Sequence, residues 1–355
     1  MRNSFTRFIA GQKHPAAEPD GDLIALLDHV QKACKAIAKL AAQGAFKKPA
    51  THKLGVKARG EEQMLLDVLA NSAMISCCEE SGQLCGMLSE EMTDPYRIPE
   101  WRRCGRYLLV FDPLDGSSNI DVDMMVGTIF SILRAPEGVT EPGIEAFLQP
   151  GVQQVAAGYA LYGPATMLVM SLGAGADAFT LDPDSGSFIL THPNLRIRET
   201  AREFAVNASN RRFWELPVRR YFDECIEGAA GPRGLDFTLR WNGSLVAEVH
   251  RILIRGGVFL YPRDSKDPKK AGRLRLIYEA NPMAMLVEQA GGAASTGRRR
   301  ILEIIPHELH QRIPVVLGAR REVERLVRYH EAYDRGEDIV FEAPLFNSRS
   351  LFRSM

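Results

Sequence analysis

One stretch of the chain decides how the rest is interpreted: Tyr107-Leu108-Leu109-Val110-Phe111-Asp112-Pro113-Leu114-Asp115-Gly116-Ser117-Ser118-Asn119. Its first five residues are uniformly apolar and too few for an amphipathic helix, so they predict a buried strand. Two aspartates, Asp112 and Asp115, follow at the end of that strand, and Pro113 between them prevents a regular helix. The stretch therefore predicts a buried strand that delivers two carboxylates to one place.

Two carboxylates that converge repel each other and raise each other's pKa, unless a cation lies between them. Hard oxygen ligands of this kind suit Mg²⁺ or Mn²⁺. Gly116 permits a close backbone approach, and Ser117, Ser118 and Asn119 supply donors that suit phosphate oxygens. The alternative is an aspartate-rich turn that only ends a strand, because DG and SSN are common turn sequences.

Further acids lie outside this stretch and favour the metal-site interpretation. Glu90 and Glu91 precede the strand, and Glu279 ends another apolar segment just before the helix start at Asn281-Pro282. Taken singly, the Glu90-Glu91 pair is typical of a solvated surface, and Glu279 is typical of an acid that complements a helix dipole. Together they predict several strand ends that converge on one acidic site.

Apolar periodicity, caps and turn residues predict the other elements. Helices are expected from an N-cap at Asp20 or Asp22 to an end at Gly44, and over 61–75, 215–227 and 244–254, the last capped by Ser244. A helix should begin at Pro282 with Asn281 as its N-cap, and another near 320. Strands are expected over 155–162 and 166–171, joined as a hairpin, and over 176–181 and 187–190, joined as a second one. Further strands are expected over 257–261, 273–278 and 314–318. Residues 1–19 are expected to be irregular, and the last 20 or so to form a tail.

The totals exclude several classes of protein. Lys plus Arg and Asp plus Glu are each 44 of 355 residues, so the chain as a whole attracts neither nucleic acid nor an anionic membrane. No apolar run is long enough to span a membrane and no signal peptide is apparent, which predicts a cytoplasmic protein. The 6 cysteines lack CxxC spacing and are expected to be free buried thiols.

The stretch around Asp112 and several flanking segments resemble the class I fructose-1,6-bisphosphatases, members of the lithium-sensitive, magnesium-dependent phosphatase superfamily. The matching segments are Ser89-Glu90-Glu91, Val126–Phe130, Gln149–Gly151, Ala156–Gly163, Phe259–Pro262 and Tyr278–Ala284. The resemblance implies a layered αβαβα sandwich of the sugar phosphatase superfamily, in the α+β class. The expected divisions are a flexible 1–19, an N-terminal domain over 20–194 with the metal site, a C-terminal domain over 195–335 with the sugar-phosphate contacts, and a tail over 336–355.

The resemblance also implies roles for the acids. Magnesium, with manganese as a substitute, would be held by Glu90, Asp112, Asp115, Glu279 and the carbonyl oxygen of Leu114. Asp67 and Glu91 would orient and deprotonate the attacking water, and Asp115 would also assist catalysis. Glu61 stands where the family usually has Asp, so its reach into the site differs by one methylene.

The implied substrate contacts are Asp115, Gly116, Ser117, Ser118, Asn207, Arg240, Tyr261, Arg273 and Arg275. Arg240 would reach a neighbouring subunit, which implies a homo-oligomer, typically a tetramer. Trp241, Arg273 and Asn210 depart from the residues usual in the family. Many members bind AMP near residues matching Arg106, Tyr107 and Arg134, but Asp20 would repel the AMP phosphate here, so weak or absent AMP inhibition is expected.

The resemblance therefore implies hydrolysis of the 1-phosphate of fructose 1,6-bisphosphate, in gluconeogenesis or the Calvin cycle. Sedoheptulose-1,7-bisphosphatase activity, alone or alongside it, is the first alternative, because the sugar-contact positions are relaxed. An inositol monophosphatase fits less well, since the contexts of Tyr261 and Arg240 belong to the bisphosphatases. A non-catalytic protein on this fold should have lost acids that are all present here.

Overall fold

The computed structural model describes residues 4–11, 20–43 and 58–337, with the backbone alone over 58–64. Its helices, in chain order, are α1 (Phe5–Ala10), α2 (Gly21–Ala42), α3 (Ala58–Glu79), α4 (Leu216–Glu227), α5 (Leu245–Arg255), α6 (Asn281–Gln289) and α7 (Arg320–Asp334). No helix of the described ranges combines the length and the apolar character that crossing a membrane requires.

The first sheet has eight strands from the first half of the chain: β1 (Leu84–Ser89), β2 (Tyr96–Arg97), β3 (Tyr107–Asp115), β4 (Val126–Arg134), β5 (Ala156–Tyr162), β6 (Thr166–Ser171), β7 (Asp177–Asp182) and β8 (Ser187–His192). Their order is β2-β1-β3-β4-β5-β6-β7-β8. Each successive pair of strands from β3 to β8 is antiparallel. In contrast, β1 runs parallel to β3. Both β1 and β3 therefore end at the same edge of the sheet.

The second sheet comes from the second half of the chain, with the order β10-β9-β11-β15-β13. Its strands are β9 (Glu203–Ala205), β10 (Thr238–Leu239), β11 (Val258–Tyr261), β13 (Ala293–Ser295) and β15 (Val315–Gly318). Two short strands, β12 (Leu274–Arg275) and β14 (Arg312–Ile313), pair separately.

The two sheets and the helices form five alternating layers. Phe111 on one face of the first sheet packs in a buried cluster with α2 and α3. Tyr159 on its other face and Phe259 on the second sheet share a cluster with α5 and α6, which lie between the sheets. Val316 packs on the outer side of the second sheet with α4 and α7. The expected αβαβα sandwich is confirmed.

Two predicted helix starts are confirmed by their N-caps. Asp20 precedes α2, and its side chain accepts a hydrogen bond from the Leu23 amide at 2.8 Å. Ser244 precedes α5 and accepts from the Ala247 amide at 3.3 Å. These side chains satisfy backbone donors that the first turn of a helix leaves unpaired. Gly44, the expected end of α2, lies outside the described residues.

Two predictions around residue 280 are wrong. The strand expected over 273–278 is only the short β12, and the chain then forms a π-helical turn over Leu276–Ala280. Asn281 is not an N-cap, because it already has helical dihedral angles (φ −63°, ψ −49°) and begins α6 directly after that turn. An apolar run of this length does not distinguish a buried strand from a buried helical turn.

The N-terminal segment is more ordered than expected. Residues 5–10 form α1 rather than irregular chain, and Phe5 and Ile9 are buried. The Phe5 and Phe8 rings pack edge-on against Phe179 at 5.2 and 5.4 Å. Aromatic packing on the far end of the first sheet explains a short helix that helix propensity alone would not form.

The expectation of six free thiols is also wrong. Cys85 on β1 and Cys104 in the loop before β3 form a disulfide, whereas Cys34, Cys78 and Cys225 are free and buried. The Gly105 amide donates to the Leu84 carbonyl at 2.9 Å, so the pairing of the loop with β1 brings the two sulfurs together. Because this proximity comes from strand pairing, the spacing of the cysteines in the sequence carried no sign of it.

Candidate active site

The site begins at the ends of the two parallel strands β1 and β3. Ser89 pairs with Phe111 in the sheet register, and the Glu90 amide donates to the Phe111 carbonyl at 3.1 Å. Parallel strands place their carboxyl ends at one edge. Glu90 therefore lies beside Asp112, although 22 positions separate them in the sequence.

The π-helical turn over Leu276–Ala280 brings a third acid to this edge. One carboxylate oxygen from each of Glu90, Asp112 and Glu279 lies within 4.8 Å of the others. Asp112 and Glu279 are each 3% exposed. We call these three residues together with Asp115 the acidic corner.

The crowding of carboxylates makes their charged forms unfavourable. Burial, reinforced by the neighbouring Glu90, raises the pKa of Glu279 to about 8. Burial and the neighbouring Glu90, Asp115 and Glu279 carboxylates hold the pKa of Asp112 well above its ordinary value. Both causes act in the same direction, because a buried acid loses hydration and a nearby negative charge repels its own. The acidic corner therefore attracts positive charge.

Arg275 contributes positive charge to the acidic corner. Its guanidinium lies 2.5 Å from Glu90 Oε1 and 3.7 Å from Glu279 Oε1, and its backbone amide donates to Glu279. The predicted phosphate contact Arg275 thus lies against the predicted metal ligands. This pairing was not predicted from the sequence.

Asp115 is held from the opposite side by the start of α5. Its Oδ2 accepts from Ser244 Oγ at 2.6 Å and from the Val246 amide at 2.8 Å. Burial raises the pKa of Asp115 to about 6, although these two donors oppose the rise. A helix N-terminus favours a carboxylate because its amides and its dipole point outward. Ser244, predicted only as a cap, therefore also orients a site residue.

Gly116 is required by both its conformation and its surroundings. Its φ is +75°, in the left-handed region, and a Cβ built there would lie 2.6 Å from the Ser244 Cβ. The close backbone approach at this glycine is therefore to Ser244, whereas the predicted approach to a ligand stays a prediction. Ser117 begins the 3-10 turn that follows, and Ser118 is exposed.

Asp67 reaches the site from α3. It is 9% exposed, and its Oδ1 has no hydrogen-bond partner among the described residues. Burial, with the Glu91 and Glu90 charges, raises its pKa to about 7 despite a hydrogen bond to Ser117. Glu91 is exposed at the rim, and partial burial with the Glu90 charge raises its pKa as well. The Glu91 charge therefore acts with burial to disfavour a charged Asp67.

An aromatic group borders the site on the side of the second sheet. Trp241 is stacked on Phe259 with ring centroids 6.1 Å apart, and it meets Tyr261 edge-on at 5.9 Å. Trp241 is 36% exposed. Asn207 precedes a short 3-10 turn, and its Oδ1 accepts from Ser209 Oγ at 2.6 Å.

The remaining predicted substrate residues, Arg240 and Arg273, are basic and pair with acids outside the acidic corner. Arg240 is exposed, with its Nε 3.5 Å from Glu203 Oε1. Arg273 lies 3.3 Å from Asp264, so it does not join Arg275 at the acidic corner. The side chain of Glu61 lies outside the described residues.

The donor set fits a hard divalent cation. The acidic corner offers carboxylate oxygens from four residues and no sulfur or imidazole ligand, and oxygen-only sets suit Mg²⁺, Mn²⁺ or Ca²⁺. The unpartnered Asp67 Oδ1 lies near the same acids. The Leu114 carbonyl belongs to the same segment of β3, between the two aspartates.

Two family models match almost the whole described chain. The model of the fructose-1-6-bisphosphatase N-terminal domain matches residues 3–193, and that of the C-terminal domain matches residues 197–331. The boundary predicted near residue 194 stays a prediction.

Whole-chain comparisons find relatives of the same description. The class 1 fructose-1,6-bisphosphatase of Hydrogenophilus thermoluteolus is 57% identical over 99% of this chain and 97% of its own length. That of Methylacidiphilum infernorum is 53% identical over 99% of each chain. A crystal structure of Leishmania major fructose-1,6-bisphosphatase in holo form superposes with a TM-score of 0.83 at 38% identity, covering 93% of this chain and 100% of that one.

Proposed function

The chain belongs to the fructose-1,6-bisphosphatase family, and we propose that it hydrolyses the 1-phosphate of fructose 1,6-bisphosphate at the acidic corner. The products are fructose 6-phosphate and inorganic phosphate. The observation that carries the proposal is the convergence of Glu90, Asp112 and Glu279 within 4.8 Å. Such a cluster is costly to the folded protein unless a cation compensates it.

Glu90, Asp112, Asp115, Glu279 and the Leu114 carbonyl would hold Mg²⁺, or Mn²⁺ in its place. When bound, the metal neutralises charge on the phosphoryl oxygens and lowers the pKa of the attacking water. Ser244 and the Val246 amide fix the orientation of the Asp115 carboxylate.

Asp67 and Glu91 are proposed to take the proton of the attacking water. A base works best when its pKa lies near the working pH, and the pKa of Asp67 is raised to about 7. The proposed proton acceptor is Asp67 Oδ1, which has no hydrogen-bond partner among the residues that the structure describes. Glu91 adjusts the basicity of Asp67 through its charge.

The phosphate and sugar contacts are assigned to the surroundings of this corner. The amides and hydroxyls of Gly116, Ser117 and Ser118 are proposed to hold the 1-phosphate, because hydroxyl and backbone donors in a turn suit phosphate oxygens. Tyr261 and Trp241 would flank the sugar, with Asn207 as a polar contact. Arg275 would exchange its contact with Glu90 for a phosphoryl oxygen once the corner is neutralised.

Arg240 and Arg273 are proposed to bind the second phosphate. The Arg240 side chain is exposed and its contact with Glu203 is long, at 3.5 Å, which supports a role for its guanidinium in a second copy of the chain. A contribution of this kind requires at least a dimer, and the resemblance favours a tetramer.

The test is phosphate release from fructose 1,6-bisphosphate with Mg²⁺, measured for the wild type beside Asp115→Ala. We expect metal-dependent release by the wild type and none by the variant. A folded wild type that releases no phosphate with either Mg²⁺ or Mn²⁺ would refute the proposal. Sedoheptulose 1,7-bisphosphate, measured in parallel, gives the ratio of the two substrates.

A further inference from the structure

The strand that carries the two aspartates contains an irregularity between them. Asp112 pairs with Ile129 on β4, but the next pair is Asp115 with Gly127. Pro113 and Leu114 therefore lie opposite a single residue, Thr128, which defines a β-bulge. The bulge decides in which direction each aspartate leaves the strand.

A bulge frees backbone groups from the ladder, and in a buried strand these groups need other partners. Pro113 has no amide hydrogen, and its carbonyl accepts from Thr128 Oγ1 at 2.8 Å. The Leu114 amide donates to Asp112 Oδ1 at 3.0 Å. One side-chain hydroxyl and one metal-site carboxylate thus replace the missing ladder bonds.

Thr128 is in turn oriented by a second buried hydroxyl. Its Oγ1 lies 2.6 Å from the Tyr162 hydroxyl on β5. A carbonyl only accepts hydrogen bonds, so the single hydroxyl hydrogen of Thr128 points to Pro113 and Tyr162 must donate to Thr128. Thr128 is 0% and Tyr162 6% exposed, so no solvent competes for these bonds.

We infer that Thr128 and Tyr162 are positioning residues, which hold the Pro113 carbonyl and thereby set the geometry of the metal ligands Asp112 and Asp115. The inference rests on the proposed function. Removing the Thr128 hydroxyl leaves the Pro113 carbonyl unpaired in a dry environment, and the bulge relieves that cost by shifting. A shift rotates Asp112, whose Oδ1 is tied to the bulge through Leu114. Outer partners of this kind affect metal affinity strongly.

Three variants separate the hydroxyl from the volume of the side chain. Thr128→Val keeps the shape and removes the hydroxyl, whereas Thr128→Ser keeps the hydroxyl and removes only a methyl group. Ser131→Ala is the matched control, because Ser131 lies on the same strand, is 0% exposed and has an Oγ without a hydrogen-bond partner among the described residues. Tyr162→Phe removes the outer hydroxyl, and with it the hydrogen bond between Tyr162 and the buried Cys34 thiol.

The experiment measures Mn²⁺ binding by calorimetry, with thermal melting and phosphate release on the same samples. We expect Thr128→Val to weaken Mn²⁺ binding about 10-fold, Tyr162→Phe to weaken it less, and Thr128→Ser and Ser131→Ala to bind as the wild type does. Equal Mn²⁺ affinity in folded Thr128→Val and wild type overturns the inference. If Thr128→Val does not fold, Tyr162→Phe with wild-type affinity overturns it instead.

The readouts keep the two proposals apart. The Mn²⁺ affinity tests the positioning role of Thr128 whether or not the protein releases phosphate. A wild type that binds Mn²⁺ but releases no phosphate refutes the proposed function alone. Weakened binding in both Thr128→Val and Ser131→Ala contradicts the inference, since loss of any buried hydroxyl would then have the same effect.

Discussion

Glu279 and Glu322 are both almost fully buried glutamates, at 3% and 4% exposure, yet their surroundings are opposite. Glu279 faces Glu90 and Asp112, and Arg275 supplies one positive charge among these acids. Glu322 accepts from Arg233 Nη2 at 2.6 Å and from the Tyr221 hydroxyl at 2.7 Å. A buried acid that faces other acids requires a cation from outside, whereas one that faces donors is already complete.

The second region extends around Glu322 between α4 and α7. Glu224, 2% exposed, accepts from the Tyr329 hydroxyl at 2.7 Å and from Arg220 Nε at 3.1 Å. We call Glu224, Glu322, their two tyrosines and Arg233 the matched cluster. Although burial alone would lower it, the pKa of Arg233 is raised by the Glu322 charge. The contrast suggests that partners, more than burial, distinguish a functional acid from a structural one.

The largest expected effect concerns the acidic corner. Asp112→Asn removes one proposed metal ligand and should lower the rate of phosphate release about 1000-fold, because metal stabilisation of the transition state contributes several kcal/mol. The same change removes one like charge, so the metal-free protein should be at least as stable as the wild type. Phosphate release tests the expected loss of rate, and thermal melting with EDTA tests the expected metal-free stability. Near-normal release, or a clear loss of metal-free stability, would count against this view of the corner.

A substitution in the matched cluster should lower the stability of the protein and leave its activity unchanged. Arg233→Ala leaves Glu322 as a buried charge without its main partner and should cost about 3–5 kcal/mol of unfolding free energy. The KM and kcat of the folded fraction should not change. Denaturant unfolding measures the loss. Arg321→Ala is the control, because its pair with Glu199 is exposed on both sides and should contribute less than about 1 kcal/mol. Equal losses of unfolding free energy in Arg233→Ala and Arg321→Ala would contradict the comparison.

The pH dependence of metal-free stability tests the acidic corner without a mutation, and its expected effect is smaller. In the folded state the pKa values of Asp115, Asp67 and Glu279 are raised to about 6, about 7 and about 8, above their unfolded values. The native state thus binds more protons than the unfolded state, and metal-free stability should fall as pH rises from about 4 to about 8. We expect a loss of at least about 1 kcal/mol.

Melting in EDTA at several pH values measures this slope. Saturating Mg²⁺ should stabilise the protein most at the alkaline end, where the carboxylates are charged. Asp112→Asn, with one acid fewer, should show a shallower slope. A metal-free stability that rises through this pH range would show that the acids are compensated in some other way.

The smallest expected effect concerns a third acid, Asp20. Its carboxylate accepts from the Leu23 amide, from Arg106 at 2.9 Å and from the Tyr107 hydroxyl at 2.9 Å. Partial burial alone would raise its pKa, but these partners lower it. Asp20 thus resembles the acids of the matched cluster, and it already pairs with Arg106 and Tyr107, two of the residues that match the AMP site of many family members. AMP should therefore not inhibit phosphate release measurably, whereas tight inhibition would contradict the assignment.

Much of the fold was predictable from local signals. The caps at Asp20 and Ser244, and the hairpin between β5 and β6, rest on residues close together in the sequence. The parallel strand β1 and the Cys85–Cys104 disulfide were missed, because both depend on where the chain returns in space. The π-helical turn before α6 was mistaken for strand, because its five buried residues carry no periodicity that separates the two.

The acids of the site were predictable as a set, but their partners were not. The residue types at 90, 112, 115 and 279 indicated a cation site, and the structure brings Glu90, Asp112 and Glu279 together. Nothing in the sequence showed that Arg275 pairs with Glu90, that Ser244 orients Asp115, or that Thr128 bonds to the bulge. These contacts arise between segments that are distant along the chain, and hydrogen-bonding side chains leave no periodic pattern.

The most direct test of the central claim is phosphate release from fructose 1,6-bisphosphate, measured against Mg²⁺ concentration in EDTA-treated wild type and Glu279→Gln. If the acidic corner holds the cation that hydrolysis requires, the wild type will be inactive without metal and will recover as Mg²⁺ is added. Glu279→Gln will need far more Mg²⁺ or will not recover. Release that is independent of metal, or identical Mg²⁺ curves for the two proteins, would contradict the account.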